Sequence, residues 1–286
     1  MTRQRYREVP NSLPDGPGPD RGQGGQAPTI LAESLGLRGR EVISLVGAGG
    51  KTTLMFRLAR ELSLKGKKVV TTTTTKILEP SSEETVSLFI HTDEGEIKQF
   101  IDKYLDAYRH MTIARERLAS GKLKGVSSDL VNDLWSANEI DYIIVEADGA
   151  AGRPIKAPQE GEPVIPSTTT TVVAILGVDG VGTEMTEKNV FRVDRVSRLT
   201  GIPIGERVTE EAIAVLMTHP EGIFKGAPSS SKVVGFLNKV DIPDGVKKAK
   251  GIAEKIIQKK HPQIERVVLG QIKSELSIVE VIFANS

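Results

Sequence analysis

Seven consecutive residues, Gly47-Ala48-Gly49-Gly50-Lys51-Thr52-Thr53, combine the groups that phosphate chemistry needs. Glycines let backbone N–H groups turn toward one point. Lys51 supplies a point charge for β- and γ-phosphates, and the Thr52 hydroxyl can complete the shell of a Mg²⁺. The apolar run Val42-Ile43-Ser44-Leu45-Val46 precedes the segment, and Leu54, Met55, Leu58, Ala59 and Leu62 follow at helical spacing. Strand, glycine loop, Lys-Thr and helix, in that order, form a phosphate cradle, to which the helix N-terminus adds partial positive charge. The segment from Gly47 to Thr53 is therefore the candidate nucleotide-binding loop, with Lys51 acting on the transferred phosphoryl group.

A second apolar strand, Tyr142-Ile143-Ile144-Val145, ends in Glu146-Ala147-Asp148-Gly149. Glu146 and Asp148 are two apart, so on an extended segment both point to one side. An acid placed there binds Mg²⁺ or its water shell, or orients an attacking water. Glu146 and Asp148 join Lys51 as candidate catalytic residues, and Thr52 and Asp148 are the candidate metal ligands. Thr71 to Thr75, followed by Lys76, end another strand. Threonine suits a strand for its β-branch alone. A late hydroxyl of this run, or Lys76, could equally stand near the γ-phosphate.

Asn238-Lys239-Val240-Asp241 closes the apolar strand that contains Phe236 and Leu237. It reads as Asn-Lys-x-Asp, the guanine-reading pattern. A carboxylate at Asp241 accepts from both N1–H and the exocyclic amine of guanine, a bidentate charge-assisted pair. Adenine offers an acceptor at N1 and faces the same carboxylate badly. The alternative role for Asp241 is to cap the helix that follows Pro243. Asn238, Lys239 and Asp241 are thus the candidate base-binding residues, with GTP favoured over ATP.

Residues 149–166 are rich in Gly and Pro and follow the acidic strand, so they overhang the cradle. Arg153 and Lys156 in this loop are candidates for a phosphate or an anionic acceptor. The glycine-bounded segments 121–125 and 219–226 are candidate lids. His91, His110, His219 and His261 show no metal-ligand spacing and read as solvated or capping residues.

These groups need a scaffold, and the rest of the chain supplies the pattern of one. Strands are expected at Glu41–Val46, Lys68–Thr74, Val86–His91, Tyr142–Ala147, Thr171–Gly177, Lys232–Leu237 and Arg266–Gly270. Helices are expected at Thr52–Lys65, Glu94–Arg109, Ser128–Asn138, Thr209–Thr218 and Val246–Lys260. Several strands are continuous Val/Ile/Leu runs, the mark of strands covered on both faces. The fold class is therefore α/β, doubly wound, with a mostly parallel sheet of P-loop NTPase type over residues 29–286. Residues 1–28 carry five Pro and five Gly and few apolar residues, so a disordered N-terminal tail is expected. Deleting residues 1–28 should leave the melting temperature and nucleotide binding unchanged; a drop of several degrees would show that the tail docks on the domain.

Composition narrows the function. With 38 Lys+Arg against 37 Asp+Glu in 286 residues, bulk electrostatics do not support nucleic-acid binding or a polybasic membrane patch. The chain has no cysteine, which excludes disulfides, Cys-ligated metal centres and a catalytic thiol. No apolar run reaches a membrane-spanning length, and the N-terminus lacks the apolar core of a signal peptide. A cytoplasmic location is expected.

The cradle is shorter than the common phosphate-binding loop, which has a glycine where Leu45 stands; it resembles the G-x-x-G-K-T-T form of Mur-type ligases. Val46 to Thr52, Thr72 to Lys76, Val145 to Gly149, Lys156-Ala157-Pro158, Glu162-Pro163-Val164-Ile165-Pro166 and Leu237 to Asp241 occur in that order. Together they resemble the YqeC family, described as accessory or selenium-cofactor biosynthesis proteins of selenium-dependent molybdenum hydroxylases. The resemblance covers roughly residues 30 to 272. It implies a cytosolic P-loop protein; the use of GTP or ATP with Mg²⁺ is what the residues themselves point to. The resemblance further implies a role in maturing such a hydroxylase, with that enzyme or its cofactor-maturation proteins as partners. The residues themselves leave three activities open: an NTPase accessory protein, a small-molecule kinase or Mur-like ligase whose acceptor sits at Arg153–Pro166, and a nucleotide-regulated binding module with little turnover.

Overall fold

Strands that are apolar at nearly every position must be covered on both faces. The computed structural model describes residues 30–137, 139–273 and 276–284 and places them in that environment. Strand β1 (Glu41–Gly47) is buried along its whole length. It pairs in parallel with β8 (Tyr142–Glu146) on one side and β10 (Thr171–Gly177) on the other. Beyond β8 lie β2 (Val69–Thr73), β5 (His110–Ala114) and β4 (Leu88–Ile90); beyond β10 lie β12 (Lys232–Asn238), β13 (Ile264–Gln271) and β14 (Ser277–Phe283). The resulting nine-stranded sheet runs β14-β13-β12-β10-β1-β8-β2-β5-β4, and only the edge strand β14 is antiparallel to its neighbour.

Alternate residues of each strand enter different cores, as the pleat requires. Ile43 and Leu45 of β1 pack with helix α2 (Lys51–Leu64) and the short α1 (Ile30–Ser34). Val42 packs on the opposite face with α3 (Glu94–Tyr108) and α4 (Ser128–Ala137). Val46, on that same opposite face, belongs to the core built with α5 (Val193–Thr200), α6 (Glu210–Thr218) and α7 (Gly245–Gln258). The sheet is thus doubly wound, as expected. The chain leaves β1 toward β2, β5 and β4, returns through β8, and then builds the other half from β10 outward. The direction of winding changes at β1, and the crevice beyond the carboxyl ends of β1 and β10 is where such sheets hold ligands.

The expected strands and helices are present, with differences at their ends only. The strands β5 and β14 and the helices α1 and α5 are not among the expected elements. Nor are the small sheets, one of β3 (Lys76–Leu78), β7 (Lys122–Lys124) and β6 (Glu116–Arg117), the other of β9 (Ile155–Lys156) and β11 (Val190–Phe191). Strands of two or three residues carry no readable periodicity. The candidate lid at 121–125 is largely β7, and the segment 219–226 buries Ile223 and Phe224 in the core. The expected tail, residues 1–28, lies outside the described residues. No helix among the described residues is long and apolar enough to cross a membrane.

Candidate functional site

The carboxyl ends of four adjacent strands converge on the glycine loop. The register sets Leu45 opposite Glu146, Gly47 opposite Ile175, and Gly177 opposite Asn238. Three loop glycines adopt positive φ: 98° at Gly47, 82° at Gly49 and 139° at Gly50. Space also opposes a side chain there, against main chain at Gly47 and Gly49 and against side chains at Gly50. A Cβ on Gly47 would lie 2.2 Å from the Ile175 carbonyl oxygen, and one on Gly50 would lie 2.5 Å from the Asn238 amide nitrogen. Gly50 is the N-cap of α2 and brings no side chain to its first turn. The first-turn N–H groups at Lys51, Thr52 and Thr53 therefore keep their donor capacity for a ligand.

Lys51 folds back over its own loop. Its ammonium donates to the Gly47 carbonyl at 2.7 Å and lies 3.3 Å from Asp148 Oδ1 and 3.7 Å from Glu146 Oε1. Burial works against this charge, but the two carboxylates outweigh it and the pKa is raised. Thr52 Oγ1 donates to Glu146 Oε2 at 2.7 Å, joining the candidate metal ligand to the strand acid. Burial pushes the Glu146 pKa up, against the pull of Lys51 and Thr52. Asp148 is fully buried, and its Oδ2 accepts from Gly47 N at 3.1 Å and from Lys156 Nζ at 2.7 Å. Its Oδ1 makes no hydrogen bond.

The second group of candidates meets the cradle from β12. Asn238 Nδ2 donates to the Gly49 carbonyl at 2.7 Å, while its Oδ1 is buried with no hydrogen-bond partner. Lys239 takes a left-handed conformation with φ 66° and pairs with Asp179 at 2.6 Å. Asp241 is exposed, and the helix after Pro243 has Asp244 at its N-cap position, so Asp241 does not cap it. Arg153 donates to the Glu187 carbonyl and stacks 5.8 Å from the Phe191 ring. Lys156, by contrast, is fully buried, turned inward onto Asp148 rather than out over the site.

The threonine run is used within the sheet. Thr72 Oγ1 donates to the Ile113 carbonyl, Thr73 Oγ1 to that of Glu146, and Thr74 Oγ1 to that of Val164. His91, His219 and His261 each accept a backbone N–H two residues on, which is the capping behaviour expected. His110 departs from it: the side chain is buried in β5 against Thr71, and burial pushes its pKa down to about 4. Among the described residues no group of three or more His, Asp or Glu side chains could hold a metal without other ligands. Asp179 and Arg192 are not marked out by the sequence, and Glu162 enters there only as part of the Glu162–Pro166 motif, with no role of its own. Glu162 and Arg192 form a two-pronged pair at 2.6 and 3.0 Å across 30 residues, a separation no local pattern signals.

Comparison with known proteins adds three likenesses. The profile of the family described as YqeC protein matches residues 43–194, from the first strand through the acidic strand and its loop. The chain is 34% identical to protein YqeC of Escherichia coli (strain K12) over 213 residues, which is 74% of this chain and 81% of that one. Among solved structures it is similar to the signal recognition particle receptor FtsY from Elizabethkingia anophelis. That match has a TM-score of 0.36 and 14% identity, and covers 84% of this chain and 61% of that one. With the profile spanning more than half of the chain and the Escherichia coli relative aligned over most of both sequences, this protein belongs to the YqeC family.

Proposed function

We propose that this protein binds the phosphates of a Mg²⁺-nucleoside triphosphate in the 47–53 loop and hydrolyses it, with GTP favoured over ATP. One observation carries the reading. An uncapped helix N-terminus, three positive-φ glycines of which Gly47 and Gly49 are backed by main chain, and a buried Lys51 held by two acids meet at the sheet's winding change. The donor set fits the metal as well. Thr52 is already tied to Glu146, and Asp148 keeps one buried oxygen without a hydrogen-bond donor. Thr52 with Asp148 or Glu146 would hold Mg²⁺, whose charge would offset that of the phosphates. Preference for guanine is supported by Asn238, which grips Gly49 and so fixes β12 against the cradle, and by the exposed Asp241 just beyond it.

The protein's own groups divide the work. Lys51 leaves the Gly47 carbonyl for the phosphates, while Glu146 and Asp148 orient water or metal. Glu146→Gln and Asp148→Asn are each expected to lower turnover by about 100-fold or more while changing nucleotide affinity far less, since these acids act in the transition state. Near-parental turnover in both variants would make them structural residues.

Membership of the YqeC family, with the role that resemblance implies, supports a place in the maturation of a selenium-dependent molybdenum hydroxylase in the cytoplasm. The test is titration of the full chain with MgGTP and MgATP, followed by turnover measurements with and without such a hydroxylase or its maturation proteins. Saturable binding with GTP preferred, and turnover raised by the client, is the expected result. Turnover that requires a small-molecule acceptor would instead mark a kinase or ligase. Absence of binding to either nucleotide would end the proposal.

A further inference from the structure

Lys51 and Asp148 are the first links of a longer row of charges, buried as far as Lys156 and half-buried beyond it at Glu162 and Arg192. Asp148 Oδ2 accepts from Lys156 at 2.7 Å; Lys156 lies 3.6 Å from Glu162; Glu162 is held by Arg192, which sits just before α5. Lys156 and Asp148 have no solvent exposure at all. The Lys156 ammonium also donates to the Gly149 carbonyl at 2.6 Å, which fixes it to the turn that follows Asp148. Two lysines therefore share one carboxylate: Lys51 faces Oδ1 and Lys156 faces Oδ2.

That sharing matters because the two lysines have different duties. A buried carboxylate stripped of its only cation carries a heavy desolvation penalty. If Lys51 were the sole counter-ion of Asp148, every phosphate that drew Lys51 away would incur that penalty. Lys156 cannot reach a ligand from its buried position, but it stays on Asp148 wherever Lys51 goes. Resting on the nucleotide-binding reading above, we propose that Lys156 is a positioning residue for the phosphate site. It is the standing counter-ion of Asp148, and it frees Lys51 to move from its own loop to the phosphates.

Charge compensation predicts a pattern that a merely structural lysine would not give. Affinities of the full-length parent, Lys156→Met, Asp148→Asn and the double variant for GTP and ATP would be measured by calorimetry, with Mg²⁺ and with EDTA. Melting temperatures would be recorded beside them. The EDTA arm removes any part that Asp148 plays in metal binding. Lys156→Met should bind nucleotide about 10- to 100-fold more weakly than the parent, because Lys51 is then held on Asp148. In the double variant Asp148 no longer holds Lys51, and Glu146 keeps the Thr52 hydroxyl as it does in the parent, so EDTA-arm affinity should return to within about threefold of the parent, a coupling far from additivity. Undiminished binding by Lys156→Met overturns the proposal. So does a double variant as weak as the single one, which would show that Lys156 acts only by holding Gly149 and Glu162. If Lys156→Met does not fold, the double variant against the parent decides alone: parental affinity supports the proposal and a tenfold loss overturns it. A parent that binds neither nucleotide removes the nucleotide reading and this one together, whereas a binding parent with the wrong variant pattern removes this one only.

Discussion

Lys51→Ala is expected to abolish turnover and to weaken nucleotide binding while the protein stays folded. Its ammonium is the one cation in the loop placed to leave for a phosphate, sitting 2.7 Å from the Gly47 carbonyl at the mouth of the helix. Losing such a charged donor at developing negative charge costs about 10²- to 10³-fold in rate. Affinity should fall by about 10- to 100-fold, the value of one charge-assisted hydrogen bond. The fold should survive because neither acid is abandoned. Asp148 keeps Lys156 and the Gly47 N–H, and Glu146 keeps the Thr52 hydroxyl. Circular dichroism and a melting curve check the fold; calorimetry and phosphate release check the rest. A folded Lys51→Ala protein that bound MgGTP and MgATP as tightly as the parent would show that the cradle is not a phosphate site.

Base choice is the second large effect. The parent should prefer GTP to ATP, since the exposed Asp241 carboxylate can accept two guanine N–H groups that adenine does not present. Asp241→Asn should lower GTP affinity and raise that for xanthosine triphosphate, whose C2 carbonyl can accept from the new amide. The loss of a charged bidentate pair amounts to about 2–4 kcal/mol, or roughly thirty- to a thousandfold in affinity. Because Asp241 is exposed and caps no helix, the variant's melting temperature should match the parent's. Competition among GTP, ATP and XTP on parent and variant reads the result directly. Equal affinity of the parent for ATP and GTP would leave Asp241 without a role in base recognition.

Much of the architecture is legible in local sequence because local physics fixes it. The apolar runs at 42–46, 142–145, 171–177 and 232–237 can only be strands covered on both faces, and in the fold they are the four central strands around β1. The Gly-rich turn before Lys51 is equally local: positive φ at Gly47, Gly49 and Gly50 is a demand of the backbone that glycine alone meets without strain. The two-residue spacing of Glu146 and Asp148 was enough to set both acids beside the lysine of the loop.

What the sequence left open is the division of labour among charges, because partners in a low-dielectric interior are chosen by tertiary packing rather than by spacing. Lys156 sits in a Gly/Pro-rich segment and reads as a candidate for a phosphate or an anionic acceptor; only the fold, which buries β9 and pairs it with β11, turns it inward and gives it to Asp148. Asn238 reads as part of a base-recognition pattern, yet the fold also uses its amide to hold the Gly49 carbonyl. The threonine run offered five hydroxyls in a row, and the fold assigned those of Thr71 to Thr74 to carbonyls and hydroxyls of neighbouring segments. The elements and the cradle followed from residue type and spacing along the chain, which act within a few residues. The counter-ion of Asp148 and the grip on the loop depended on which segments the sheet brings side by side, and that is decided only when the whole sheet closes.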